Sequence, residues 1–219
     1  MYRNHLQSNN LTKHVSLAEK AYQELLDQLL AKKLLPGMLV NRRAIATELK
    51  MSVAPVLEAI IQLQAEGFLE SIPRKGTLVR GVHLDDFRGQ LLLREAIECE
   101  AARIYCGKPV AGAKGLKALA EAADLSEKRP LIELWKAESA FHTALIELTR
   151  CEVMIDAFSK IMQRKIFSSA HLFLSGEAFG GGDHVVLLRK LCAANADQAE
   201  KLIRAHLRFR KERLFEPLS

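Results

Sequence analysis

The chain has no apolar run near the roughly 18 residues that a membrane-crossing helix needs. Its opening residues, MYRNHLQSNNLTKH, lack the apolar core of a secretory signal. Both absences point to a cytoplasmic protein. Cysteine is scarce: Cys99, Cys106, Cys151 and Cys192 include no C-x-x-C pair, and each falls in an apolar helical context. Such spacing argues against a zinc knuckle or thiol catalysis and leaves small reduced core residues. There is no internal repeat and no low-complexity tail, and no convincing strand appears after Leu84. What remains is 219 residues, 49% hydrophobic and 26% charged, an ordinary globular balance with length enough for two domains.

The net charge of +6 is unevenly spread. Residues 1–81 hold 11 Lys and Arg against 7 Asp and Glu, whereas residues 82–219 hold 21 against 19. A basic head on a nearly neutral remainder suggests a polyanion-binding module, although many solvated surfaces are mildly basic. The order of elements sharpens this. Ser16 to about Leu34 reads as an amphipathic helix opening with a capping box of Ser16 and Glu19, broken at Pro36-Gly37. Asn41 caps a short helix with Ile45, Ala46 and Leu49 inward. A tight connection leads to a third helix, which Ser52 caps, Pro55 enters in its first turn and Gly67 stops. Phe68 to Ile72 and Thr77 to Val79 are short strands around a PRKG turn. Three helices and a two-stranded wing make the winged helix-turn-helix plan, whose third helix enters the major groove.

Beyond a linker near Gly81–Asp85, helical patterns run over about 84–106, 112–128, 131–149, 152–175, 184–194 and 197–214. Breaks fall at Gly107 to Pro109, Arg129-Pro130, Gly180 to Gly182 and Asn195. The fold class is mainly α: a winged head over 1–81 and an all-α bundle of six or seven helices over 82–219. In the second part Glu138 and His142 stand at i, i+4 on one helical face. His184 opens a later helix and His206 follows 22 residues on. A carboxylate and three imidazoles suit a divalent transition metal, but spacing alone fits a solvated helix face and satisfied core histidines as well.

The stretch LVNRRAIATELKMSVAPVLEAIIQLQAEGFLESIPRKGTLVR is similar to the DNA-binding head of GntR-type bacterial transcription regulators. LLLREAIECEAARIYC, ESAFHTALIE and DHVVLLRKLCAANADQAEKLIRAHL resemble the FCD domain of the FadR subfamily. The resemblance covers nearly the whole chain and implies a homodimer that binds a double-stranded DNA operator. The family carries Arg and Thr after the serine and a second Arg four residues beyond the first; here those places hold Val53, Ala54 and Leu57. DNA contacts then fall to Arg42, Arg43, Ser52, Val53 and Ala54, with Arg74, Lys75 and Thr77 in the wing. Apolar Val53 and Ala54 suit thymine methyls rather than guanine edges.

In the FCD family a D-x-x-x-H pair and two later histidines bind a metal. The matching positions are Glu138, His142, His184 and His206, with glutamate in place of aspartate. The resemblance implies zinc, nickel or manganese there. It also implies that Arg94 faces the metal cavity, where a guanidinium would help to bind a small carboxylate effector such as an organic or sugar acid; Arg164 is a further candidate. The expected function is a ligand-responsive transcription regulator, a repressor and not an enzyme. Two alternatives stand beside it: a metal-dependent hydrolase, whose ion would activate water, and a regulator that senses metal alone.

Overall fold

The computed structural model describes residues 15–124, 130–172, 183–209 and 211–215. Helix α1 (Leu17–Leu30) starts where the Ser16 side chain accepts the Glu19 N–H at 3.0 Å. The expected reciprocal arm differs, because the Glu19 carboxylate accepts from Gln23 on the next turn. The helix also stops short of Leu34, with Lys32 at φ 59° turning the chain out of it. Asn41 caps α2 (Arg42–Glu48) by accepting from both Arg43 and Ala44. Helix α3 (Val53–Ala65) begins at Ser52 by its backbone alone, since the serine side chain makes no capping bond. Pro55 sits buried in its first turn, and Gly67 at φ 79° ends the turn that follows α3.

Strands β1 (Leu69–Ile72) and β2 (Gly76–Val79) pair antiparallel with Leu69 opposite Val79 and Ile72 opposite Gly76. The wing gains a third edge. Val40 donates to the Thr77 carbonyl and Val79 to that of Met38, both at 2.9 Å. Head packing rests on Leu25, Leu29, Val56, Leu63, Phe68 and Val79.

The helical part comprises seven α-helices among the described residues: α4 (Leu84–Tyr105), α5 (Lys108–Gly112), α6 (Leu116–Asp124), α7 (Leu131–Glu147), α8 (Glu152–Leu172), α9 (His184–Ala193) and α10 (Ala196–Arg208), with a 3-10 turn at Glu212–Phe215. The expected helix from 112 instead starts at Leu116, because α5 occupies the preceding turn. Gly107 at φ 73° makes the break, and Pro109 lies inside the first turn of α5, where its missing N–H costs nothing. The last expected helix stops at Arg208, where Phe209 turns extended. Asn195 and Gln198 form a full capping box for α10. Cys99 is buried, whereas Cys151 is exposed just ahead of α8, contrary to a core role. The expected glycine break at 180–182 lies outside the described residues.

The two parts share a core. Trp135 of α7 and Ile166, Phe167 and Ala170 of α8 pack into the same buried cluster as the head's leucines. Phe167 meets Phe68 edge to face at 5.4 Å, and the Tyr22 hydroxyl bonds both Glu66 of the head and Gln163 of α8. A Cβ on Gly67 would lie 3.3 Å from the Arg164 guanidinium carbon, so the glycine lets α8 sit against the turn after α3. Helix α8 therefore touches the head with one face while another looks into the helical domain.

Candidate metal centre

Four helices converge on the site. Helix α4 brings Arg94 and Glu98, α7 brings Glu138 and His142, α9 opens with His184, and α10 carries His206. Ion pairs between α4 and α10 set the last of these: Glu95 holds both Arg204 and Arg208, and Arg103 pairs with Asp197 at 2.7 Å. The three histidines are buried, and one ligand nitrogen from each lies within 4.8 Å of the others. The Nε2 atoms of all three have no hydrogen-bond partner. Leaving one such buried polar atom unsatisfied costs about 1–3 kcal/mol, so three facing one space form a set that a cation would satisfy.

The opposite ring nitrogens are clamped. Glu98 accepts from Nδ1 of His142 at 2.5 Å, and Asp124 accepts from Nδ1 of His184 at 2.6 Å. A carboxylate on Nδ1 places the proton there and leaves the Nε2 lone pair for a metal, the usual carboxylate–histidine–metal relay. Asp124 does more, because it also accepts the backbone N–H groups of His184 and Val185 and so anchors the first turn of α9. Burial would raise the Asp124 pKa, yet those donors together hold it below the ordinary aspartate value. Burial depresses His142 to about 4 and pushes His206 down as well, which keeps both rings neutral at pH 7. Burial would likewise raise Glu98, but the adjacent His142 and Arg94 hold it at about 2. A neutral imidazole beside an ionised carboxylate is the protonation state that metal binding requires.

Glu138 lies outside this trio. One of its oxygens accepts from Arg94 at 2.9 Å and the other from Lys165 at 3.1 Å. Those cations hold its pKa well below the usual range against the opposing effect of burial. Arg94, 1% exposed, gives Nε to Glu98 and one terminal nitrogen to Glu138, while Nη2 is buried without a partner. Lys165 and Lys211 are buried too. Burial lowers both, Lys211 to about 7, with Glu138 opposing the shift. Arg164 stands apart from the histidines, lining a small cleft with Gly67, Arg80, Asp86 and Gln90 at the seam with the head.

Glu98, Asp124, Lys165 and Lys211 were not singled out by sequence reasoning. Glu98 had a signal, four residues after Arg94 on one helix. Lys165 had a weaker one, a cation three residues after Met162 on the buried face of α8. Asp124 is 60 residues from His184, and nothing local marks it. In the head, Arg42, Arg43, Ser52, Val53, Ala54, Arg74 and Lys75 are exposed, and Thr77 is half-buried.

A winged helix-turn-helix head packed on an all-helical domain is the architecture of a class of DNA-binding transcription regulators. Residues 17–79 match the family described as bacterial regulatory proteins, gntR family, and residues 91–209 match the FCD domain. The Nta operon transcriptional regulator of Aminobacter aminovorans is 24% identical over 182 residues, covering 83% of this chain and 86% of that protein. The HTH-type transcriptional repressor RspR of Escherichia coli is 22% identical over 129 residues, 58% of this chain and 56% of its own. A putative GntR regulator from Rhodococcus sp. RHA1 shares the fold with a TM-score of 0.69 at 20% identity, covering 92% of this chain and 99% of that one. The E. coli protein McbR/YncC gives 0.66 at 20% identity, with 92% and 98% covered. The chain belongs to the GntR family of transcription regulators, with an FCD domain as its second part. Its domains and relatives are those of regulators, not enzymes.

Proposed function

We propose that this regulator is a cytoplasmic homodimer that represses transcription from a palindromic operator, and that a divalent metal and a small carboxylate in the helical domain control its grip on DNA. The three buried Nε2 atoms without partners, two of them backed by carboxylates on Nδ1, carry the reading. His142, His184 and His206 would hold the ion, which supplies a Lewis-acid point for a carboxylate. An all-nitrogen donor set favours zinc or nickel over manganese. Glu138 then acts as the counter-ion of Arg94 and Lys165 and not as a ligand. The unpartnered Nη2 of Arg94 is a free donor for the acid, which favours an organic effector over metal sensing alone.

Coupling to the head would run through α8. Lys165 answers to Glu138 in the cavity, while Gln163 and Phe167 hold Tyr22 and Phe68 in the head. Dimerisation falls to α4, whose Leu92, Leu93 and Ile104 are half exposed on its outer side. Arg42, Arg43, Arg74 and Lys75 would grip phosphate, with Ser52 and Thr77 beside them. The name of the similar RspR as a repressor supports the sign. Titrating chelated protein with cobalt tests the centre, because a three-histidine site gives visible absorption at one ion per chain. Loss of that spectrum in His142→Ala and His206→Ala is expected; an unchanged spectrum contradicts the assignment.

A further inference from the structure

The outward face of α3 is oily where a groove-reading helix usually carries hydrogen-bonding groups. Val53, Leu57 and Ile61 stand four residues apart and are 37%, 38% and 56% exposed, with Ala54 exposed beside them. They are not core residues turned outward by accident, since Val56, Ala59, Ile60 and Leu63 supply the buried face of the same helix. The polar side chains on the remaining margin are Glu58 and Gln62, and the Gln62 amide is committed to Glu66. Around this strip the head is cationic, with Arg42 and Arg43 at the start of α2 and Arg74 and Lys75 at the wing tip, all exposed. Arg74 is held at φ 66°, at the tip of the turn between the strands.

An aliphatic row rimmed by cations is matched by one kind of surface on duplex DNA. The phosphates meet the cations, and within the major groove the C5 methyl of thymine is the apolar feature presented by a base pair. Residues four apart on a helix are about 6 Å apart along its axis, close to two base-pair steps of about 3.4 Å. Resting on the reading that the head binds DNA, we propose that α3 recognises an A·T-rich half-site by packing Val53, Ala54 and Leu57 onto thymine methyl groups, with Ile61 at the edge of the contact. Specificity then comes from apolar packing and groove shape, and affinity comes from phosphate contacts. Guanine is disfavoured along the row, because none of Val53, Ala54, Leu57 and Ile61 can donate to its O6 and N7 acceptors.

The test begins with selection of bound sequences from a randomised duplex library by the full-length protein. Affinity for the selected duplex is then measured by fluorescence anisotropy, thymine by thymine, against deoxyuridine, which pairs identically but lacks the methyl. Burying one methyl is worth about a fourfold change in affinity. We expect thymine-rich half-sites and about a fourfold loss at two or more positions. Leu57→Ala and Val53→Ala should each abolish the response at one position, and both residues are exposed enough for the variants to fold. Selected sites rich in G·C, or a selected site indifferent to deoxyuridine, overturn the proposal, and steep salt dependence in those cases leaves DNA binding itself standing. If no duplex is bound and Leu57→Asp lowers the mass in sedimentation, the row is a contact between proteins and the proposal fails with the DNA reading.

Discussion

Glu138→Ala is the substitution with the largest effect expected from the structure. The carboxylate is 4% exposed and joins Arg94 at 2.9 Å to Lys165 at 3.1 Å, with the buried Lys211 also facing its charge. Without it, Arg94 retains Glu98, but Lys165 loses the carboxylate that accepts from it. Breaking a buried pair from one side costs about 3–5 kcal/mol. The cost has a ceiling, because a stranded lysine can shed its proton: moving from an ordinary pKa of about 10.4 to neutrality at pH 7 costs about 4.6 kcal/mol. Both routes give a similar figure. In a chain of this length, each kcal/mol moves Tm by about 2–4 °C, so chelated Glu138→Ala should melt roughly 10 °C lower. Adding Lys165→Met should recover at least half of the loss, since paired apolar replacements of buried ions are often neutral. Zinc stoichiometry, measured by elemental analysis of the refolded variant, should stay at one per chain. A chelated variant within about 1 kcal/mol of the parent, combined with collapse of zinc binding, would refute this account and return Glu138 to the metal.

Three further outcomes follow from the same geometry. Chelation should lower the Tm of the zinc-loaded chain, by about 2.7 kcal/mol of stability when zinc stood at a hundred times its dissociation constant, and His206→Ala should erase that response in differential scanning calorimetry. Lys211 has a folded pKa of about 7, below the ordinary lysine value, so the unfolded chain binds more protons just above neutrality and stability rises with pH. The gain from pH 7 to 8.5 should be about 1.5 kcal/mol in urea titrations, with Lys211→Met flattening the slope. Leu93→Asp, at a position 51% exposed on α4, should convert a dimer to a monomer in sedimentation without lowering the helix content.

The head was legible because its punctuation is local. Asn41 caps its own helix, Gly67 supplies the positive φ after α3, and the turn from Pro73 to Gly76 fixes the wing register. The histidines could be placed by family pattern, and the structure gathers His142, His184 and His206. Their supports could not be read, because they come from elsewhere in the chain: Glu98 is 44 residues from His142 and Asp124 is 60 from His184. Glu138 shows the limit of positional matching. Its place in the pattern suggests a ligand, its oxygens accept from Arg94 and Lys165, and only packing reveals where those cations are. Pro109 shows the converse, since a residue read as a breaker proves harmless in a first turn.

The central claim is that the buried histidine centre governs DNA binding through α8. The most direct measurement is the affinity of the chain for one selected operator duplex at fixed salt, taken with chelator, with zinc, and with zinc plus a panel of small carboxylates. A coupling of about 1–3 kcal/mol, or 5- to 150-fold in affinity, is expected between the chelated protein and at least one loaded state. His142→Ala should remove it while leaving the chelated affinity unchanged. Identical affinity in all states, with zinc demonstrably bound, would contradict the account.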